Sequence, residues 1–150
     1  MFRRILMALK FGAAAEFALV KGLELAYAHA AELHIFHALD YKLAELGEDD
    51  PKRVQVVAEA EQQYASQIKP LVEGLEKVSF TCSPADPALA VCKMAQDINA
   101  DLIVLGCHQL PEKMSLGRVD YVGMTILEKA PCPILLVPLS GERTLLKWPK

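Results

Sequence analysis

The side chains able to do chemistry in this sequence cluster in a few places: Cys107-His108, the pair His34 and His37, the acidic run Glu48-Asp49-Asp50, and the cysteines Cys82, Cys92, Cys107 and Cys132. Cys107-His108 joins a thiol to a base, the combination that generates a thiolate nucleophile. Adjacent residues of an extended segment project to opposite sides, however, so the two cannot readily hydrogen-bond to each other. The pair reads instead as a small apolar thiol closing a strand and a polar loop residue placed to touch a ligand. His34 and His37 have opposite parity on one strand and face different sides of a sheet, which argues against a shared metal. His37 is expected to be a hydrogen-bonded structural histidine, and His29, at a helix end, to suit the helix dipole with partial positive charge. The three consecutive acids match the dipole of the helix that follows them rather than forming a divalent-cation site. The cysteines show no C-x-x-C spacing, which weakens zinc and redox readings, and reduced thiols are expected.

These residues need a scaffold, and its clearest piece is Asp101-Leu-Ile-Val-Leu-Gly106. A continuous apolar run of this kind suits a parallel strand covered on both faces. In open parallel sheets ligands bind beyond the carboxyl ends of the strands, so the residues after Gly106 are where function is sought. Other strands are read at Arg4–Leu9, Leu33–Leu39, Val78–Cys82 and Pro133–Pro138. Residues 13–30 carry Ala15, Ala18, Leu19, Gly22, Leu23 and Ala26 on one helical face, with Gly22 marking close packing on the sheet. Asp50-Pro51 and Asp86-Pro87 are helix starts, an N-cap followed by proline at the first helical position. The first begins a long helix with Val54, Val57, Ala58, Ala65, Ile68, Val72 and Leu75 inward, which Pro70 should kink or end. The second carries Ala88, Val91, Cys92, Ala95 and Ile98, and a last helix to about Ala130 turns Val122, Ile126, Leu127 and Ala130 inward. Strand and helix alternate, so the fold expected is a doubly wound α/β sandwich with a mainly parallel sheet and helices on both faces.

The chain has 150 residues, 53% hydrophobic and 23% charged, with net charge −3. That is one domain, read over 1–140, with an extension over 141–150. The charge offers no basic field for nucleic acid, and no apolar segment reaches the length of a membrane span. Lys10 ends the apolar run after Ile5–Leu9, too short for the ~7–15 residues of a signal-peptide core. A cytoplasmic location is the expectation. In the extension, Leu145, Leu146 and Trp148 would be adhesive if exposed, so docking on a partner subunit is expected.

The opening Arg4-Ile-Leu, the strand Leu33–Asp40 with His37, the helix start Asp86-Pro87-Ala88, and above all Ala130-Pro-Cys-Pro leading into Ile134–Val137 give the chain a family likeness. It resembles the universal stress protein family, over about residues 2 to 138. The resemblance implies an adenine nucleotide alpha hydrolase-like sheet of five parallel strands in the order 3-2-1-4-5. It also implies a homodimer in which the strand Ile134, Leu135, Leu136, Val137 pairs with its copy. Such pairing would cover an apolar edge that soluble proteins normally hide.

Many members of that family hold ATP with a loop G-x2-G-x9-G-(S/T) and an acid at the end of strand one, the glycines admitting backbone N–H groups to the phosphates. Here Gly106 matches the first glycine. Gln109 replaces the second, and Val119-Asp120, or Asp120-Tyr121 if the loop is one residue longer, replaces the Gly-Ser pair. Gly117 and Gly123 are near but off the spacing, and Leu9-Lys10 stands where the acid should be. An aspartate beside phosphate repels it by about 1 kcal/mol at ~4 Å even in water. Binding of ATP in the usual way is therefore not expected, and no cofactor is assigned. The crevice is expected to persist with altered contents, drawn from Leu9, Lys10, Leu39, Gly106, His108, Gln109, Arg118, Asp120 and Tyr121, with Lys10, Lys113 and Arg118 as its cations. The function expected is a dimeric, non-enzymatic regulatory or stress-response binding protein with a protein partner not identified. The alternative is an adenine-nucleotide-binding stress regulator with a divergent phosphate loop.

Overall fold

The structure, a computed structural model, describes residues 1–11, 15–107 and 121–138. In chain order the elements are β1 (Arg4–Ala8), α1 (Glu16–His29), β2 (Glu32–Leu39), a 3-10 turn (Tyr41–Glu45), α2 (Pro51–Gln67), α3 (Lys69–Val72), β3 (Val78–Pro84), α4 (Pro87–Asp97), β4 (Leu102–Cys107), α5 (Tyr121–Lys129) and β5 (Ile134–Pro138). The strands form one parallel sheet in the order β3-β2-β1-β4-β5. This is the doubly wound order expected.

Local chemistry sets the boundaries. The Asp50 carboxylate accepts from Lys52 N at 2.9 Å and the Asp86 carboxylate from Leu89 N at 3.1 Å, satisfying first-turn donors ahead of Pro51 and Pro87. Before Pro70 the long helix stops at Gln67, and a single further turn, α3, continues past Ile68.

Alternate residues of the central strands fill two cores. Ile5, Met7, Leu33, Ile35 and Val104 pack against α1 and Ile68 and Val72, while Leu6, Phe36, Ile103 and Leu105 pack against α4 and Ile126 of α5. Gly22 lets α1 lie directly on the sheet, since a Cβ there would sit 2.6 Å from Met7 Sδ. That explains a glycine in mid-helix despite its cost of about 1 kcal/mol relative to alanine.

Two helical faces differ from expectation. Val54, Ala58 and Ala65 are exposed, whereas Val57, Ile68, Val72 and Leu75 turn inward as expected and are joined by Ala60 and Tyr64, with Tyr64 stacked on Phe80 of β3 at 4.2 Å. The stack of Tyr64 on Phe80 thus joins Val57 and Val72 in setting the buried face. Likewise Leu127 is 48% exposed beside a fully buried Ile126, because α5 presents only a narrow face to β4 and α4. Among the described residues no helix is long and apolar enough to cross a membrane.

Candidate functional site

The chain order of the sheet reverses between β1 and β4, and the carboxyl ends of these strands bound a crevice at that switch point. The crevice measures about 230 Å³. Its floor is apolar: Phe36 and Ala38 from β2, Leu105 from β4, Val91 from α4 and Val122 from α5. Its rim is polar, made by Lys10, His37, Asp40 and Tyr41. The floor is a continuation of the second core, so the same alternation that buries Leu6 and Ile103 leaves an apolar surface open at the strand ends.

The rim is partly locked. His37 Nδ1 donates to Leu9 O at 2.9 Å, and Phe11 meets the imidazole edge-on at 4.8 Å. His37 is thus the hydrogen-bonded structural histidine anticipated. Leu9 N donates to Phe36 O at 2.8 Å, and Ala85 N to Leu39 O at 3.3 Å, which fixes the backbone on both sides of the opening. Asp40 accepts from Lys42 N at 3.0 Å and begins the 3-10 turn that carries Tyr41 over the mouth. Tyr41 is 62% exposed.

Leu9, Lys10 and Leu39 line the crevice. Gly106 instead lines a small adjoining hollow of about 10 Å³ under Lys10 and Ala15. His108, Gln109, Lys113, Arg118 and Asp120 lie outside the described residues, as do the side chain of Tyr121, which opens α5, the side chain of Cys107, and the extension over 141–150. Sequence reasoning missed Phe36, Ala38, Val91 and Val122, whose apolar character marked them as core. It also missed Asp40-Tyr41, where an Asx turn directly after a strand was the available signal.

Elsewhere the structure assembles groups that spacing alone did not connect. Ser79 Oγ lies 2.8 Å from His34 Nδ1, and His34 Nε2 lies 3.7 Å from the Glu32 carboxylate. Arg4 at 3.4 Å and Lys77 at 3.3 Å flank that carboxylate, and the Lys77 hydrogen bond foremost holds its pKa below the ordinary glutamate value. Serine, imidazole and carboxylate in line resemble a hydrolase relay. Neither His34 nor Ser79 lines the crevice, however, so the chain acts as a tie between β2 and β3. His29 lies in the last turn of α1, where its Nδ1 accepts from Phe2 N at 3.1 Å and so ties the N-terminal segment to the helix end. The thiols of Cys82, Cys92 and Cys132 are free, and burial pushes each pKa up, which suppresses the reactive thiolate. No cluster suited to a metal ion occurs among the described residues.

A model of the universal stress protein family matches residues 1–138. A curated universal stress protein of Synechocystis sp. is 32% identical over 92 residues, covering 61% of this chain and 54% of the relative. The chain therefore spans about half the length of the curated relative it matches. Among solved structures, the universal stress protein UspA from Lactobacillus plantarum superposes with TM-score 0.67 at 19% identity, covering 90% of this chain and 97% of its own. A universal stress protein in complex with cAMP gives TM-score 0.62 at 17% identity, with 93% and 98% covered. One from Archaeoglobus fulgidus in complex with dAMP gives 0.63 at 15% identity, with 91% and 98% covered. Likeness at these identities speaks to the fold.

Proposed function

Since this chain belongs to the universal stress protein family, we propose that it is a cytoplasmic regulatory binding protein, without chemistry of its own, whose crevice takes a small planar ligand such as an adenine mononucleotide and lacks the family's cradle for ATP. The observation that carries this reading is the crevice itself. An apolar floor closed by a polar rim suits a flat base with its polar edge outward. Two relatives of this fold are described in complex with cAMP and with dAMP, ligands bearing a single phosphate. Gln109 and Asp120 stand in the sequence where glycine and a hydroxyl residue would approach further phosphates, and Lys10 stands in place of an acid. The rim offers no nucleophile paired with a base among the described residues, which supports binding over catalysis.

Binding is proposed to be read out through a dimer. β5 pairs with β4 on one side only, its Ile134, Leu135 and Leu136 are half-buried in the isolated chain, and a second copy would cover that edge. Sedimentation of the full chain and of a chain ending at Ser140 tests both the dimer and the docking of residues 141–150. A dimer weakened by truncation is expected; a monomeric full chain rejects the assembly, and an unweakened truncated dimer rejects the docking.

The crevice is tested by filling it. Titration calorimetry with AMP should show binding to the natural chain and at least a tenfold loss in Ala38→Leu, whose added side chain would occupy the floor. Equal affinity in a variant that melts normally would place the ligand elsewhere.

A further inference from the structure

A second cavity, of about 410 Å³, opens on the opposite face of the sheet between α1 and the α2–α3 pair. It meets the crevice at Leu9 and Lys10 and falls within the ~300–1,000 Å³ range of small-molecule sites. Its two sides differ in chemistry. Phe11, Leu19, Ile68 and Leu71 make an apolar wall, and Leu71 is 47% exposed there. Lys10, Glu16, Gln63 and Gln67 make a polar one. Gln63 and Gln67 stand one turn apart on α2, so both amides project from the same helical face.

These four polar side chains form no hydrogen bond or ion pair with another described residue, whereas Arg4, Lys21, Lys77 and Lys93 all pair with acids. Lys10 and Glu16 thus put opposite charges on one cavity without neutralising each other by contact. A ligand of single charge meets one favourable and one unfavourable group; a dipolar ligand satisfies both. We infer that this groove binds a zwitterionic α-amino acid with a large apolar side chain, its carboxylate toward Lys10, its ammonium toward Glu16, and its side chain against Phe11 and Leu71. The two glutamines supply hydrogen bonds to whichever carboxylate or ammonium valences remain. This groove shares Leu9 and Lys10 with the crevice, and Glu16, which lines the groove alone, distinguishes the two sites.

Titration calorimetry of the full chain with L-phenylalanine, 3-phenylpropionate and phenethylamine tests the inference, since the last two each lack one charge. Phenylalanine should bind, and each analogue should bind at least about tenfold more weakly, a difference of about 1.4 kcal/mol. Glu16→Gln, on an exposed side chain, should lower phenylalanine affinity by a similar factor while leaving AMP binding and the melting temperature unchanged. Absence of phenylalanine binding at millimolar concentration, equal binding of the analogues, or indifference to Glu16→Gln would each overturn the assignment.

Discussion

The two ends of this sheet differ in how far their charged groups are paired. At the amino end, beside a cavity of about 390 Å³ lined by Arg3, His29, Glu32, Glu76 and Lys77, several polar groups pair with one another: the Asp101 carboxylate accepts from Arg3 N at 2.7 Å and Arg4 N at 3.1 Å, Glu32 draws in Arg4, Lys77 and His34, and His29 holds Phe2. At the carboxyl end two cavities open beside Leu9 and Lys10, and the side chains of Lys10, Glu16, Gln63 and Gln67 form no hydrogen bond or ion pair with another described residue. An end whose donors and acceptors are matched contributes stability. An end that leaves them open keeps capacity for a ligand, as the placement of crevices in parallel sheets leads one to expect.

Substitutions can break this contrast. The largest effect on stability is expected for Asp101→Ala, which strips two backbone donors of a charged acceptor; on the order of 1.5 kcal/mol should be lost in urea unfolding, with AMP affinity unchanged. An unaltered midpoint would show that the amino end is not held in this way. Ser79→Ala should cost about 1 kcal/mol through the lost His34 bond, again without effect on binding. Lys10→Ser, at the other end, should leave stability within ±0.5 kcal/mol while changing ligand affinity. A large destabilisation there would erase the distinction between the ends.

The smallest effect is one of pH. The Glu32 carboxyl is held below the ordinary glutamate value of about 4.3, so its charged form is favoured by folding. Its contribution is present above the unfolded pKa and is lost as pH falls through the lower folded one. Stability followed from pH about 5 down to about 3 should therefore decline slightly more in the natural chain than in Glu32→Gln. Identical slopes would remove Glu32 from the account.

The parallel, doubly wound sheet was legible because strand and helix alternate along the chain, while its strand order was available only through the family resemblance. Gly22 was legible for a related reason: a helical glycine needs a close neighbour, and Met7 is that neighbour. The face of α2 was legible in part: Val57, Ile68, Val72 and Leu75 turn inward as expected, while the stack of Tyr64 on Phe80, a contact with no periodic signal, was not readable. The Ser79–His34–Glu32 tie was hidden likewise, because register between β2 and β3 decides that Ser79 lies beside His34. Of the crevice, Leu9, Lys10 and Leu39 were readable as strand ends, while its floor carried the same apolar residues as any core.

The central claim, a crevice that takes a base and does not cradle a triphosphate, is tested most directly by equilibrium dialysis of the full chain against AMP and ATP with magnesium. The account predicts that ATP binds no more tightly than AMP. ATP binding at least tenfold tighter than AMP would contradict it.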